Sequence, residues 1–397
     1  MRIIYPVIFG AVMIAIFGII EILLMRTLNR RWWNNKFIRR AAIGLPLVGV
    51  IAILAWFGGF YQGIWFIFKA GSTATAAILV LLLALMFSLP ISGFFNWILH
   101  RQEIKQGSAG ADESYDPRRR SFLKSAAAAL PVTAVAMSVG GVGRAFGDTE
   151  IEIKDIVFDN LPPALNGFKI LHLTDSHIGI YKFVEDLEEI LARAEGYGPD
   201  LVLYTGDIAD NLPHLPDALK LVSQLKARHG HFACLGNHEY YRGIKRVVEI
   251  FDESDVPLLR SSGVVIEKGE VKILVAGADD PVTMREDPRP FLQQSIDQAL
   301  ANQPETDFKI LMCHRPEGFG PAAGSKIDLV LSGHTHGGQV GFNGRSIFDM
   351  FMPDRYLWGE YKIGGSRMYL SSGIGHWFPF RLGCPSEAPI IKLTTNG

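Results

Sequence analysis

Apolar residues fall along this chain in two different patterns. Four long runs come first: Ile3–Met25, with Glu21 its only charge, then Ala41–Phe60, Thr73–Leu99 and the alanine-rich Ser125–Val142. A helix that crosses a bilayer needs about 20 mostly apolar residues, so each run predicts a membrane-spanning helix. Beyond Asp148 the runs shorten and alternate with amphipathic stretches. Strands are expected at Ile151–Phe158, Phe168–Leu173, Leu201–Tyr204, His231–Leu235, Val271–Ala276, Phe308–Met312, Leu329–Leu331, Met368–Leu370 and Ile390–Leu393. Helices are expected at Phe183–Ala194, Pro216–Ala227, Arg242–Phe251 and Pro290–Ala301. The second part is therefore an α/β domain rich in sheet.

Composition sharpens this division. Hydrophobic residues make up 48% of the 397 residues, and mean hydropathy is +0.19. That excess lies in residues 1–100 and 121–143, and the rest has the mixture of an ordinary globular domain. A net charge of -1 gives no electrostatic footprint for nucleic acid. The three cysteines, Cys234, Cys313 and Cys384, are widely spaced and form no disulfide framework.

Basic residues orient the helices. The first loop carries Arg26, Arg30, Arg31, Lys36, Arg39 and Arg40, the second only Lys69, and the third Arg101, Lys105 and Arg118–Arg120. Basic loops stay in the cytoplasm, which places the domain after the fourth helix outside it, in a bacterial cytoplasmic membrane. Arg119-Arg120-Ser121-Phe122-Leu123-Lys124 resembles a twin-arginine export signal, which would make the twin-arginine translocase a partner during export. The expected organisation is a three-helix membrane module over 1–100, a basic cytoplasmic linker over 101–120, the signal and fourth helix over 121–147, and the globular domain over 148–397.

Five of the expected strands run into loops that carry ligand chemistry. These read Asp175-Ser176-His177, Gly206-Asp207-Ile208-Ala209-Asp210, Gly236-Asn237-His238-Glu239, His314, and Gly333-His334-Thr335-His336-Gly337-Gly338. Loops at the carboxyl ends of strands gather around ligands in α/β folds. Carboxylates, imidazoles and an amide suit manganese, iron or zinc, with manganese favoured here, and no thiolate joins them. The ligand count suits two metal ions, which together serve displacement at phosphorus.

These blocks resemble the calcineurin-like metallophosphoesterases, over about residues 150–397, and are most similar to an exported bacterial branch with a GHTHGGQ block. The resemblance implies a four-layer αββα sandwich. It implies that Asp175, His177 and His336 bind one metal and Asn237, His314 and His334 the other, with Asp207 bridging them and a shared hydroxide as nucleophile. His238 would act on the substrate, and Asp210 would orient His238. Arg381, in a rim with Tyr356, Trp358, Tyr361, Trp377, Phe378 and Phe380, is expected to contact substrate. Glu239 stands where many members carry Asp, at a position outside the ligand set.

The reading is a membrane-anchored phosphoesterase acting on phosphodiester, phosphomonoester or pyrophosphate bonds, on an envelope or lipid-linked substrate. The alternative is a membrane helix bundle that does the work, with the metal domain as a regulatory or sensing module. Few polar residues lie in the helices, whereas transport pathways need more of them.

Overall fold

The computed structural model describes residues 4–108, 117–282, 286–376 and 378–395. Two compact units divide the chain: Met1–Arg144 with Phe378–Phe380, and Ala145–Trp377 with Arg381–Gly397.

The first unit is helical: α1 (Ile4–Leu28), a short α2 (Arg30–Trp33), α3 (Lys36–Gln62), α4 (Trp65–Ser108) and α5 (Pro117–Ala145). All but α2 contain a stretch long and apolar enough to cross a membrane, over Val7–Leu28, Lys36–Gln62, Trp65–Arg101 and Arg118–Ala145. Such helices are apolar on every face, because lipid offers nothing to a polar one. Ile14, Ile53, Ile78 and Leu82 form a core shared by α1, α3 and α4. Small residues let the backbones close in: a Cβ on Gly71 would stand 2.3 Å from Trp56 N, and one on Gly49 would strike Ile14 and Ile78. Buried Asn29 ties α1 to α4, donating to Leu89 O at 3.0 Å and accepting from Asn96 Nδ2 at 2.8 Å.

The helix limits correct two expectations. Gly63, left-handed at φ 66°, ends α3, and α4 begins two residues later, so Lys69 lies in α4 and not in a loop. The first eight residues of the expected 101–120 linker continue α4, and 109–116 lie outside the described residues. Arg119 and Arg120 stand in the first turn of α5.

The second unit alternates strand and helix: β1 (Ile153–Phe158), β2 (Lys169–Leu173), α6 (Val184–Glu195), β3 (Leu201–Thr205), α7 (Leu215–Gln224), β4 (His231–Cys234), α8 (Asn237–Asp252), β5 (Ser262–Lys268), β6 (Val271–Gly277), α9 (Arg289–Leu300), β7 (Phe308–Met312), α10 (Phe319–Gly324) and β8 (Leu329–Ser332). A two-strand hairpin, β9 (Gly341–Phe342) and β10 (Arg345–Ser346), precedes β11 (Gly359–Ile363), β12 (Ser366–Leu370) and β13 (Ile390–Thr395). One sheet has the order β1-β13-β2-β3-β4 and the other β11-β12-β8-β7-β6-β5. Within them β2-β3-β4 and β12-β8-β7-β6 run parallel.

Side-chain alternation explains the layering. Leu171, Val202 and Tyr204 of the first sheet pack with Leu187, Leu219, Val222, Val247 and Ile250 of α6, α7 and α8. Their neighbours Ile170, Leu203 and Phe232 point the other way and meet Val275, Ile310 and Leu331 of the second sheet. That sheet's outer face, with Leu274, Leu311 and Val330, is covered by Leu292, Ile296, Phe319 and Ala322 of α9 and α10. The result is a four-layer αββα sandwich.

Both faces of the central strands are buried, which is why they read as continuous apolar runs. Ile310 is fully buried between the sheets. Ile310→Ala should cost about 2–4 kcal/mol of stability and lower the thermal unfolding midpoint, read by circular dichroism on the full chain.

Candidate metal centre

The parallel strands β2, β3, β4, β7 and β8 end at one edge, and their loops meet there. Asp175 follows β2 and accepts from the His334 backbone N–H at 3.0 Å with both carboxylate oxygens. Asp207 follows β3 and accepts from the His238 backbone N–H at 2.9 Å. His314 follows β7, and its Nδ1 donates to Thr205 O at 2.9 Å, which aims Nε2 at the two aspartates. Nε2 stands 3.2 Å from Asp207 Oδ2 and 4.0 Å from Asp175 Oδ1.

The loop backbones are strained. Asp175, His177, Asp207, His334 and His336 all adopt left-handed φ, between 48° and 74°. Non-glycine residues pay of order 1–3 kcal/mol each for such a conformation, and here it falls on the expected ligands. Two glycines admit the close approach. A Cβ on Gly333 would stand 2.0 Å from Asp175 Oδ2, and one on Gly236 would stand 2.2 Å from Asp207 Oδ1.

Among the described residues, three groups each bring their donor atoms within 4.8 Å of one another: Asp175, His177 and His336; Asp207, His314 and His334; and His177, Asp207 and His238. The first holds the residues expected for one metal, the second holds the expected His314 and His334 with Asp207, and the third joins His238 to His177 and Asp207. His336 Nε2 lies 3.4 Å from Asp175 Oδ1, and His177 Nε2 lies 3.2 Å from His336 Nε2 and 3.8 Å from Asp207 Oδ2. Such separations are those of donors sharing a cation bound at about 2.1 Å. Asn237 is buried, and among the described residues its Oδ1 has no hydrogen-bond partner. A buried amide oxygen left so is costly unless a cation takes its lone pair. The donor set and this oxygen fit divalent metal ions.

Electrostatics point the same way. Burial would raise Asp207, but His314, His238 and His177 hold it well below the usual carboxylate range. Burial alone would lower His177 and His314, yet Asp210, Asp207 and Asp175 raise the first to about 9, and Asp207 and Asp175 raise the second to about 10. His334 is pushed down to about 3 by burial and by His314 and Arg315. The pocket demands positive charge, which metal ions supply as they displace ligand protons.

Around this centre, Asp210 orients two imidazoles: its Oδ2 accepts from His177 Nδ1 at 3.2 Å and its Oδ1 from His238 Nδ1 at 2.5 Å. His238 is partly open, its side chain 22% exposed. Arg242 donates to the same Asp210 oxygen at 2.9 Å.

Several site residues had no role in the sequence reading. Buried Glu239 accepts from the backbone N–H groups of Asp207, Ile208 and Gly236 at 2.9, 2.7 and 2.8 Å, locking two ligand loops together. Its place directly after Asn237-His238 was the available signal. Arg315 pairs with buried Asp280 at 2.8 Å and reaches within 3.4 Å of His334 Nε2. Nothing in the local sequence marks Asp280.

Arg381 is a correction. It is fully buried, and its guanidinium donates to the carbonyls of Pro385, Ser372 and Gly375 at 2.7, 2.8 and 2.5 Å. Those bonds clamp the tail loop, so Arg381 faces no substrate. Of the expected aromatic rim, Trp358 is buried and donates to Glu387 at 3.0 Å. Tyr356 and Tyr361 pack edge-to-face, 4.8 Å between ring centres, and Trp377 lies outside the described residues.

A family model for calcineurin-like phosphoesterases matches residues 168–338. An uncharacterized metallophosphoesterase of Aquifex aeolicus is 30% identical over 250 residues, covering 62% of this chain and 92% of that protein. Another from Helicobacter pylori strain J99 is 32% identical over 250 residues, 62% of this chain and 64% of the relative. A zebrafish (Danio rerio) protein named as a transmembrane protein with metallophosphoesterase domain is 29% identical over 278 residues, 67% of this chain and 62% of its own length. The chain thus spans just under two thirds of the last two relatives. The family model and these likenesses agree: the chain belongs to the calcineurin-like metallophosphoesterase family.

Proposed function

We propose that this chain is a membrane-anchored two-metal phosphoesterase that hydrolyses phosphodiester, phosphomonoester or pyrophosphate bonds of an envelope or lipid-linked substrate. The observation that carries the reading is the meeting of two donor groups at Asp207, one with His314 and His334, the other with His177 and His238. Asp175, His177 and His336 would hold one cation and Asn237, His314 and His334 the second, with Asp207 available to both. When bound, two such cations, manganese in preference to iron or zinc, would supply Lewis acidity toward water and phosphoryl oxygens.

The chain's own residues do the rest. Asp210 fixes the His238 tautomer through Nδ1, which leaves Nε2 for the substrate. There it stabilises a phosphoryl oxygen or protonates the leaving oxygen. Asp210 holds His177 in the same way, so one carboxylate sets both a ligand and an acid. Arg315, anchored by Asp280, adds a fixed positive charge beside His334.

Supporting the placement are the four apolar helices and the membrane-protein name of the zebrafish relative. Basic residues crowd the helix ends from α1 to α3 and the facing ends of α4 and α5, so the catalytic unit is read as extracytoplasmic, with Arg119-Arg120 as part of a twin-arginine-type signal.

The first test measures bis-p-nitrophenyl phosphate hydrolysis and bound metal on the full chain in detergent. Asp207→Asn should lower the rate by about a hundredfold or more and reduce the metal content below two per chain. Full activity at unchanged stoichiometry would rule out the bridging role. His238→Ala should lose a comparable factor while keeping both metals; a metal-depleted variant would instead make His238 a ligand.

Glu239→Gln puts an amide N–H₂ against a backbone donor. Metal affinity should fall about 10- to 100-fold, read by chelator competition, with an unaltered affinity denying Glu239 its loop-locking role.

In right-side-out vesicles, external protease should degrade the catalytic unit. Protection that is lost only on detergent addition would reverse the orientation.

A further inference from the structure

The metal-binding turn His336–Gln339 leads directly into a segment whose apolar side chains face solvent. Phe342 is 81% exposed, Met350 78%, Phe351 74% and Met352 44%. Exposed apolar side chains this dense are unusual on a domain surface and mark an interaction face.

This segment is built rather than loose. Asn343 and Gly344, at φ 51° and 75°, make the two-residue turn between β9 and β10, the pair of left-handed residues that a tight hairpin requires. Ser346 is buried, and its Oγ accepts from the Phe348 backbone N–H at 3.3 Å to start the next turn, Ile347–Met350. The Arg345 guanidinium lies 4.7 Å from the centre of the Tyr361 ring and donates to Glu360 O at 2.9 Å. Phe348 rests on the metal-binding turn itself: a Cβ on Gly338 would stand 2.6 Å from Phe348 Cδ2. The exposed side chains therefore sit on a scaffold joined to the backbone that carries His336.

A lipid surface is the occupant this chain supplies. Its last apolar helix ends at Ala145 and β1 starts at Ile153. The connecting residues 146–152 span at most about 25 Å when fully extended. Charge in the segment balances, Arg345 and Arg355 against Asp349 and Asp354. The contact is therefore apolar insertion, not attraction to anionic headgroups.

We propose that residues 342–352 insert into the bilayer interface beside the metal centre and admit phosphoesters of bilayer-resident amphiphiles in preference to soluble ones. The insertion stands by itself; the substrate preference rests on the phosphoesterase reading.

All three native cysteines are buried, so one introduced cysteine can be labelled selectively. Phe351→Cys and, as a solvent control, Lys226→Cys (native side chain 90% exposed) would each carry an environment-sensitive fluorophore on the full chain in lipid nanodiscs. Brominated lipid should quench the label at 351 and leave that at 226 unchanged. Equal, weak quenching at both positions overturns insertion. So does a signal at 351 that appears only with two chains per disc, since it assigns the face to a second copy. In the activity arm, Met350→Asp with Phe351→Asp should raise KM for a phosphodiester lipid in bilayers about tenfold or more and leave bis-p-nitrophenyl phosphate hydrolysis unchanged. Equal loss on both substrates overturns the preference. If the native chain hydrolyses neither, the phosphoesterase reading fails, while the quenching result still decides the insertion.

Discussion

Two buried carboxylates, Asp175 and Asp207, held beside the same His314 imidazole, are the constraint on which the second unit is built. Like charges taken out of water repel and lose hydration, so nothing in the folding of apolar layers favours their meeting. The unit brings them together by backbone means. Left-handed residues turn each loop at the strand end, glycines let the chain pass close by, and backbone N–H groups bond the carboxylates. Glu239 adds a third buried acid within the same few residues, raised by burial and by Asp207 yet bonded to three backbone N–H groups. Three buried acids gathered among imidazoles in this way have the chemistry that divalent cations fit.

Much of this was legible in the sequence, because each step has a local signature. Strands buried on both faces read as apolar runs, and a ligand-bearing block after each run marks the strand end. The edge strands β5 and β11 were missed although Val264-Val265-Ile266 and the alternating Glu360-Tyr361-Lys362-Ile363 lie in them; both signals are short, and these residues are largely half-buried or exposed. Glu239 was read as a mild departure because its work is done on backbone N–H groups, which no side-chain pattern reports. Asp280 is invisible for a similar reason, since its partner Arg315 is brought to it only by the pairing of β6 with β7. Arg381 misled the reading in the opposite direction. An arginine among aromatics looks like a surface anion site, but its guanidinium spends its donors on carbonyls of its own loop.

That loop shows why the family match at 168–338 does not by itself describe a complete site. The residues after β12 return beneath the first ligand block: Ile374 N donates to Thr174 O at 3.1 Å, and Gly375 N donates to Asp175 O at 2.7 Å. Gly373 sits so close that a Cβ would stand 2.6 Å from the Asp175 Cβ. Arg381 then fixes this floor, and β13 enters the first sheet between β1 and β2. The left-handed turn at Asp175 is therefore held from below by a segment some 200 residues away in the chain, where Arg381 joins strands, loops and ligand into one structure. The strain at the ligands is tolerated because the tail makes any relaxed alternative break bonds in the sheet as well as in the site.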